Sequence, residues 1–127
     1  MDNKTILIVE DDSICRECLR DLFEMEGFNC LEACGGIEAL KVIKANKGKV
    51  DLVISDIRMP NGNGIQLLME VKAIDSTFPP VILITGFSNQ KEISLMKKGA
   101  ECVLDKPIEF RQLFQEVEKT IDKYKAV

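Results

Sequence analysis

The 127-residue chain contains no histidine, no tryptophan and a single tyrosine. The absence of histidine excludes Ser-His-Asp triads, histidine-bearing zinc motifs and phosphohistidine formation on this chain. A GxxxxGK loop for ATP phosphates is also absent. Any phosphoryl group that this chain handles must therefore arrive on another molecule.

Long hydrophobic runs and basic clusters are missing as well. The apolar runs are far shorter than the roughly 20 residues of a membrane-spanning helix, and the segment MDNKTILIVEDD has too short an apolar centre for a secretory signal. These features predict a cytoplasmic location without a membrane partner. The net charge is −4 and the Lys and Arg residues are scattered, which argues against direct nucleic-acid binding.

Five cysteines are present, and the spacing Cys15-x2-Cys18 with Cys30-x3-Cys34 resembles a four-cysteine zinc pattern. Cys15 and Cys18 fall within a helical pattern and Cys30 within a strand pattern, whereas structural zinc sites usually take their cysteines from tight turns. We therefore interpret the cysteines as small core residues.

Short apolar runs predict a parallel sheet. The runs at 6–9, 52–54 and 81–84 are continuous rather than alternating, which is typical of strands covered on both faces, and weaker strands fit 28–33 and 101–104. Helical periodicity predicts helices within 14–23, 36–46, 64–74, 89–98 and 110–121. This βα order, repeated five times, predicts an α/β fold with an open doubly wound sheet, in one domain over residues 1–127.

Helix-capping residues support these boundaries. Asp12 or Ser13, Asn63, and Ser88 or Asn89 precede three of the helices and can accept a hydrogen bond from a free first-turn N–H. Gly27 and Gly99 suit helix ends.

Polar side chains follow four of the predicted strands. Glu10, Asp11 and Asp12 follow the first, Asp56 the third, Thr85 the fourth, and Lys106 the fifth. Open α/β sheets place their sites beyond the carboxyl ends of the strands. If the first and third strands are neighbours, Asp11 and Asp56 repel each other unless a divalent cation lies between them, and an all-oxygen site suits Mg²⁺. Asp12 is interpreted as a helix cap.

Asp56 is the candidate nucleophile. An aspartate is ionised at neutral pH and needs no base, while phosphoryl transfer needs chiefly positioning and positive charge. Mg²⁺ and Lys106 would supply that charge, and the Thr85 hydroxyl would donate to a phosphoryl oxygen. The sequence thus predicts that Asp56 becomes an aspartyl phosphate.

Four motifs in register resemble the receiver domain of two-component response regulators: ILIVEDD, DIRMPNGNG, the Thr of ILITG, and DKP, over about residues 4–124. The resemblance implies a (βα)5 flavodoxin-like fold with strand order 2-1-3-4-5 and a cis peptide before Pro107. It implies that Asp56 is the phosphoacceptor, Thr85 the switch hydroxyl and Lys106 the phosphate-sensing lysine. The Mg²⁺ ligands it implies are Glu10, Asp11, Asp56 and the backbone carbonyl of Arg58.

The resemblance also implies a phosphorylation-dependent switch in a phosphorelay. A histidine kinase or histidine phosphotransfer protein would donate the phosphoryl group, and a protein partner would read the changed surface. Such a chain catalyses only its own phosphorylation and slow autodephosphorylation, as a monomer or a phosphorylation-dependent dimer. Val103 stands where the family commonly has Tyr or Phe. A further hypothesis is that Arg58 and Phe87 restrict the hydrolytic water and lengthen the phosphorylated lifetime.

Three alternatives remain at this point. A Mg²⁺-dependent phosphatase would also form an aspartyl phosphate, although Arg58 occupies the position where such enzymes carry a second carboxylic acid. A flavin-binding protein has a similar topology, although residues 10–12 would repel a flavin phosphate. An unphosphorylated docking module is the third.

Overall fold

The computed structural model describes residues 3–86, 94 and 98–125. Within these residues the elements, in chain order, are β1 (Thr5–Val9), α1 (Ser13–Met25), β2 (Asn29–Ala33), α2 (Gly36–Ala45), β3 (Leu52–Asp56), α3 (Gly64–Ile74), β4 (Val81–Thr85), β5 (Cys102–Asp105) and α4 (Phe110–Lys125). The helix predicted at 89–98 lies mostly outside the described residues, as do its proposed caps Ser88 and Asn89.

The five strands form one parallel sheet in the order β2-β1-β3-β4-β5. The predicted α/β fold and strand order are therefore confirmed. β1 and β3 are central neighbours, and the register pairs Val9 with Ser55. The central strands β1, β3 and β4 are buried because both faces of the sheet are covered there, which explains their continuous apolar runs, whereas the edge strand β2 is mostly half-buried.

Alternate strand residues enter two separate cores. One core contains Leu7, Val53 and Leu83 together with apolar residues of α2 and α3. The opposite core contains Ile8, Ile54, Ile82 and Ile84 together with residues of α1 and α4. Side chains alternate across a strand, so this division places α2 and α3 on one face and α1 and α4 on the other.

The second core is centred on an aromatic cluster. The fully buried Phe23 of α1 lies 5.7 Å from the Phe28 ring and 5.0 Å from the Phe110 ring, measured between centroids. Phe114 of α4 stacks against Phe110 at 5.9 Å. These edge and stacked contacts fix α1 and α4 side by side over the sheet.

The predicted caps of α1 and α3 are confirmed. The Asp12 side chain accepts from the N–H groups of Ile14 and Cys15, and the Asn63 side chain accepts from the N–H of Gln66. Gly27 follows α1 with φ +93°, a left-handed conformation that glycine adopts without strain.

The interpretation of the cysteines as core residues is wrong for Cys15 and Cys18, which are exposed on α1, and for Cys34, which is half-buried outside both cores. Cys30 and Cys102 are half-buried against the core shared with α1 and α4, and all five thiols are free. α1 forms where the helical period predicts it, but Ile14, Cys15 and Cys18 lie on the side of α1 that faces a surface groove rather than the sheet. Among the described residues, none of the helices has the length and apolarity needed to cross a membrane.

Candidate functional site

The strand register brings the predicted site residues to one edge of the sheet. Glu10 and Asp56 each follow the paired residues Val9 and Ser55. Asp56 pairs with Ile84 of β4, and Thr85 pairs with Asp105 of β5, after which Lys106 begins the next loop. Four adjacent strands thus contribute to one edge.

Three carboxylates converge there. Oxygen atoms of Glu10, Asp11 and Asp56 all lie within 4.8 Å of one another. Glu10 and Asp56 are 8% and 7% exposed, whereas Asp11 faces solvent. Carboxylates this close repel, and an oxygen-only donor set without histidine or cysteine fits a hard cation such as Mg²⁺. The residues present therefore fit the predicted metal.

Burial and the neighbouring acidic groups shift the pKa of Glu10. Burial raises the pKa of this carboxyl to about 7, and its hydrogen bond to Asp11 and the charge of Asp56 act in the same direction. The N–H of Asp12, which donates to Glu10 Oε2 at 3.1 Å, and the charge of Lys106 act in the opposite direction without cancelling the rise. Without a metal, the cluster therefore tends to hold a proton.

Lys106 supplies a positive charge to the same place. Its Nζ donates to Asp56 Oδ2 at 2.8 Å and lies 3.8 Å from Glu10 Oε1. Burial alone would lower the pKa of Lys106, but the hydrogen bond and charge of Asp56, followed by Glu10, raise it. The ammonium is therefore charged at neutral pH. The Lys106–Pro107 peptide is cis, as the resemblance implies.

The remaining predicted residues lie around this cluster. Thr85 is 8% exposed at the end of β4, and its carbonyl accepts the N–H of Lys106 at 2.8 Å. Arg58 is exposed in the loop after β3, and Phe87 lies outside the described residues. Val103 is buried in the core shared with α2 and α3, so no aromatic ring occupies that position.

The structure adds a network around residues 10–12, which we call the acidic turn. The Arg16 guanidinium donates from Nη1 to the backbone carbonyl of Glu10 at 2.7 Å and from Nε to Glu32 Oε1 at 3.1 Å. Arg20 donates from Nη1 to the other oxygen, Glu32 Oε2, at 2.9 Å. The helical spacing of Arg16 and Arg20 indicates one face of α1, but nothing in the sequence identifies Glu32 as their common partner.

Residues 57–63, which we call the glycine loop, are held differently. The N–H groups of Gly36 and Ile37 at the start of α2 donate to the carbonyls of Gly62 and Asn61, at 3.0 and 3.3 Å. A Cβ added at Gly35 would lie 2.4 Å from the Asn61 oxygen.

The residue that follows this loop is equally close to the end of β3, since a Cβ added at Gly64 would lie 2.4 Å from the backbone oxygen of Asp56. Sequence reasoning did not identify these contacts, although the pairs Gly35-Gly36 and Asn61-Gly62 are a signal for close backbone approach.

An apolar groove of about 450 Å³ opens beside the site. Its walls come from α1 and from the segment after β5, with Ile14, Cys18, Pro107 and Ile108 among the lining residues. Asp56 and Lys106 lie at the same groove. The phosphoacceptor candidate is therefore reached along an apolar surface.

Residues 6–118 match the family model described as the response regulator receiver domain. The chain belongs to this family. Receiver domains are phosphoryl-accepting switches rather than enzymes in the usual sense, so the family assigns the chain to phosphorylation-dependent signalling. The receiver domain is 38% identical over 109 residues to the transcriptional regulatory protein CpxR of Klebsiella pneumoniae, covering 85% of this chain and 45% of that protein. The chain thus spans less than half the length of this relative.

Solved receiver domains have the same fold. A response regulator receiver domain from Clostridium thermocellum has a TM-score of 0.90 at 31% identity, covering 97% of this chain and 98% of that one. The CheX-CheY-BeF3-Mg²⁺ complex from Borrelia burgdorferi has a TM-score of 0.86 at 30% identity, covering 91% of this chain and 87% of that one. The predicted family is therefore confirmed.

Proposed function

We propose that residues 4–124 form a single receiver domain in which Asp56 accepts a phosphoryl group from a phosphohistidine of a histidine kinase or histidine phosphotransfer protein. The observation that supports this proposal most directly is the position of Asp56. Its nearly buried carboxylate ends a central strand, lies among the oxygen atoms of Glu10 and Asp11, and is paired with Lys106. A cytoplasmic location is part of the same proposal.

The site residues have separate roles in this transfer. An Asp56 oxygen attacks phosphorus, the P–N bond to the donor imidazole breaks, and the electron pair leaves with the imidazole. Glu10, Asp11, Asp56 and the Arg58 carbonyl would hold Mg²⁺, which supplies positive charge for the equatorial phosphoryl oxygens. The Lys106 ammonium lies close enough to follow the new phosphoryl group, and the Thr85 hydroxyl donates to one of its oxygens.

The groove beside Asp56 supports a protein donor. A phosphohistidine presented on a helix needs an apolar surface next to the acceptor, and the groove between α1 and the segment after β5 provides one. The exposed Ile14, 77% accessible at this groove, would be covered by such a donor.

Phosphorylation would then change the surface that a protein partner reads. The added phosphoryl group carries close to two negative charges, which draw Thr85 and Lys106 toward it. Because Val103 replaces the family's usual aromatic residue, this change would proceed without the rotation of a ring at that position. Phosphorylation-dependent dimerisation is one form of this readout.

A small acyl phosphate or phosphoramidate donor tests the proposal. Intact-mass spectrometry should detect one added phosphoryl group that requires Mg²⁺ and is absent in Asp56→Asn. Asp105→Asn is the matched control, because Asp105 is an exposed aspartate next to Lys106 and should still be phosphorylated. If Mg²⁺ binds but no adduct forms, the chain is a docking module. Turnover of a phosphomonoester would favour the phosphatase alternative.

A further inference from the structure

Arg16 connects the first part of α1 to the acidic turn. Its side chain is 17% exposed and makes two hydrogen bonds in different directions, one to the Glu10 carbonyl and one to Glu32 of β2. The planar guanidinium is suited to such a pair of bonds because its donors are fixed relative to one another. The charge on Glu32 in turn fixes the guanidinium.

The carbonyl that Arg16 binds lies where the strand ladder ends. β1 ends at Val9, and the Glu10 N–H still donates to the Ala33 carbonyl at 3.0 Å. The Glu10 carbonyl belongs to the same peptide plane as the N–H of Asp11. A side chain that fixes this carbonyl therefore fixes the plane from which the Asp11 side chain departs. Glu10 and Asp11 supply two of the three clustered carboxylates.

We propose that Arg16 is a positioning residue for the metal-binding carboxylates of Glu10 and Asp11. It holds the peptide between them, so that both side chains face the place where Mg²⁺ binds. This inference rests on the proposed function, since it concerns the Mg²⁺ site of that function. Arg16 itself binds neither metal nor phosphoryl group.

Charge and positioning predict opposite effects when Arg16 is replaced. A cation near a divalent ion repels it, so the loss of the Arg16 charge alone would tighten Mg²⁺ binding. The loss of positioning would weaken binding, because the carboxylates would have to be ordered at the moment of binding. The sign of the change in Mg²⁺ affinity therefore distinguishes the two roles.

Arg20 provides a matched control. It lies on the same helix and donates to the same Glu32 carboxylate, at 2.9 Å. Its other partner at hydrogen-bond distance is Asp21, and no bond from Arg20 to the acidic turn occurs among the described residues. Arg16→Gln and Arg20→Gln each remove one positive charge and one ion pair to β2, but only Arg16→Gln releases the Glu10 carbonyl.

The experiment is a Mg²⁺ titration of the full chain without phosphoryl donor, followed by backbone amide NMR shifts. Arg16→Gln should raise the Mg²⁺ dissociation constant about tenfold, in the range found for residues that orient metal ligands, and Arg20→Gln should change it by less than about twofold. In the metal-free protein, the Asp11 and Asp12 amide shifts should move in Arg16→Gln and not in Arg20→Gln. Arg16→Lys keeps the positive charge but lacks the planar guanidinium, so it should restore the Mg²⁺ affinity only in part.

The outcomes separate this inference from the proposed function. Unchanged or tighter Mg²⁺ binding in Arg16→Gln, equal weakening in both variants, or full restoration by Arg16→Lys would overturn the positioning role while leaving the metal site intact. Absence of Mg²⁺ binding by the unsubstituted chain would overturn both. If Arg16→Gln does not fold, Glu32→Gln replaces it, because it releases one side of the guanidinium. It should raise the dissociation constant, but by less than the roughly tenfold increase expected for Arg16→Gln, and an unchanged constant would overturn the positioning role.

Discussion

The acidic turn and the glycine loop both carry proposed Mg²⁺ ligands, but they are held by different kinds of contact. The acidic turn is held largely by side chains. Arg16 donates a hydrogen bond to the Glu10 carbonyl, and the Asp12 N–H donates one to the Glu10 carboxylate. The glycine loop is held by backbone atoms, with Gly36 bonded to the Gly62 carbonyl and Gly64 to the Ile57 carbonyl. A turn held by charged groups should respond to pH and salt, whereas a loop held by close backbone approach should respond to added volume.

The largest effect is expected where volume is added at Gly64, the first residue of α3, which directly follows the glycine loop. In Gly64→Ala, the new Cβ would lie 2.4 Å from the Asp56 oxygen, so the loop or the strand end must shift. We expect the free energy of unfolding to fall by about 2–3 kcal/mol, as is typical of overpacking, measured by urea denaturation.

Gly86→Ala is the control for this substitution. Among the described residues, no atom lies within 4 Å of a Cβ at Gly86, so its stability should stay within about 0.5 kcal/mol of the original. Equal stability of the two variants would mean that backbone proximity does not hold the glycine loop.

A pH effect of intermediate size is expected in the acidic turn. The pKa of Glu10 is raised from 4.5 to about 7 in the folded chain. The stability that protonated Glu10 contributes is therefore fully present below about pH 4.5 and is lost as the pH rises through about 7. With a chelator present, the unfolding free energy relative to Glu10→Gln should fall on the order of 1–3 kcal/mol between pH 5 and pH 8.

The same pH range should have little effect on the contact at Gly64, because that contact is between backbone atoms. The unfolding free energy of Gly64→Ala relative to the original chain should therefore be the same at both pH values. If the unfolding free energies of Glu10→Gln and the original chain change in parallel with pH, the raised pKa of Glu10 is contradicted.

The smallest effects are expected at the helix caps that end the two segments. Asp12 accepts from two N–H groups, of Ile14 at 2.9 Å and Cys15 at 3.2 Å, whereas Asn63 accepts from one, of Gln66 at 2.8 Å. Asp12→Ala and Asn63→Ala should each lower the unfolding free energy by about 1 kcal/mol. Only the Asp12 effect should shrink in 1 M salt, because its cap carries a charge. If thermal or urea unfolding shows the same salt dependence for both substitutions, the two caps do not differ in charge contribution.

The fold was predictable from sequence because its three central strands are covered on both faces. Continuous apolar runs identified β1, β3 and β4 to within two residues, whereas β2 and β5 were identified from weaker patterns, and β3 extends to Asp56 itself. The strand ends also identified Glu10, Asp11, Asp56 and Lys106, because parallel strands bring their carboxyl ends to one edge. For this part of the site, chain order and strand register were sufficient.

The supporting contacts were not predictable in the same way. Arg16 and Glu32 belong to different elements, and their contact depends on how α1 rotates over the sheet. The approach of Gly35 to Asn61 depends on how two loops meet, which no periodicity encodes. The exposure of Cys15 and Cys18 depends on the same rotation of α1, since a small thiol is compatible with either environment.

The ion pair between Asp56 and Lys106 also has a consequence for the order in which the site is assembled during synthesis. Asp56 is synthesised before Lys106, and β4 and β5 must both be added to the sheet before the two side chains meet. A nascent chain that has released β3 from the ribosome thus contains the aspartate without its counter-charge. The pairing of Asp56 with Lys106 is therefore possible only after β5 has been added to the sheet.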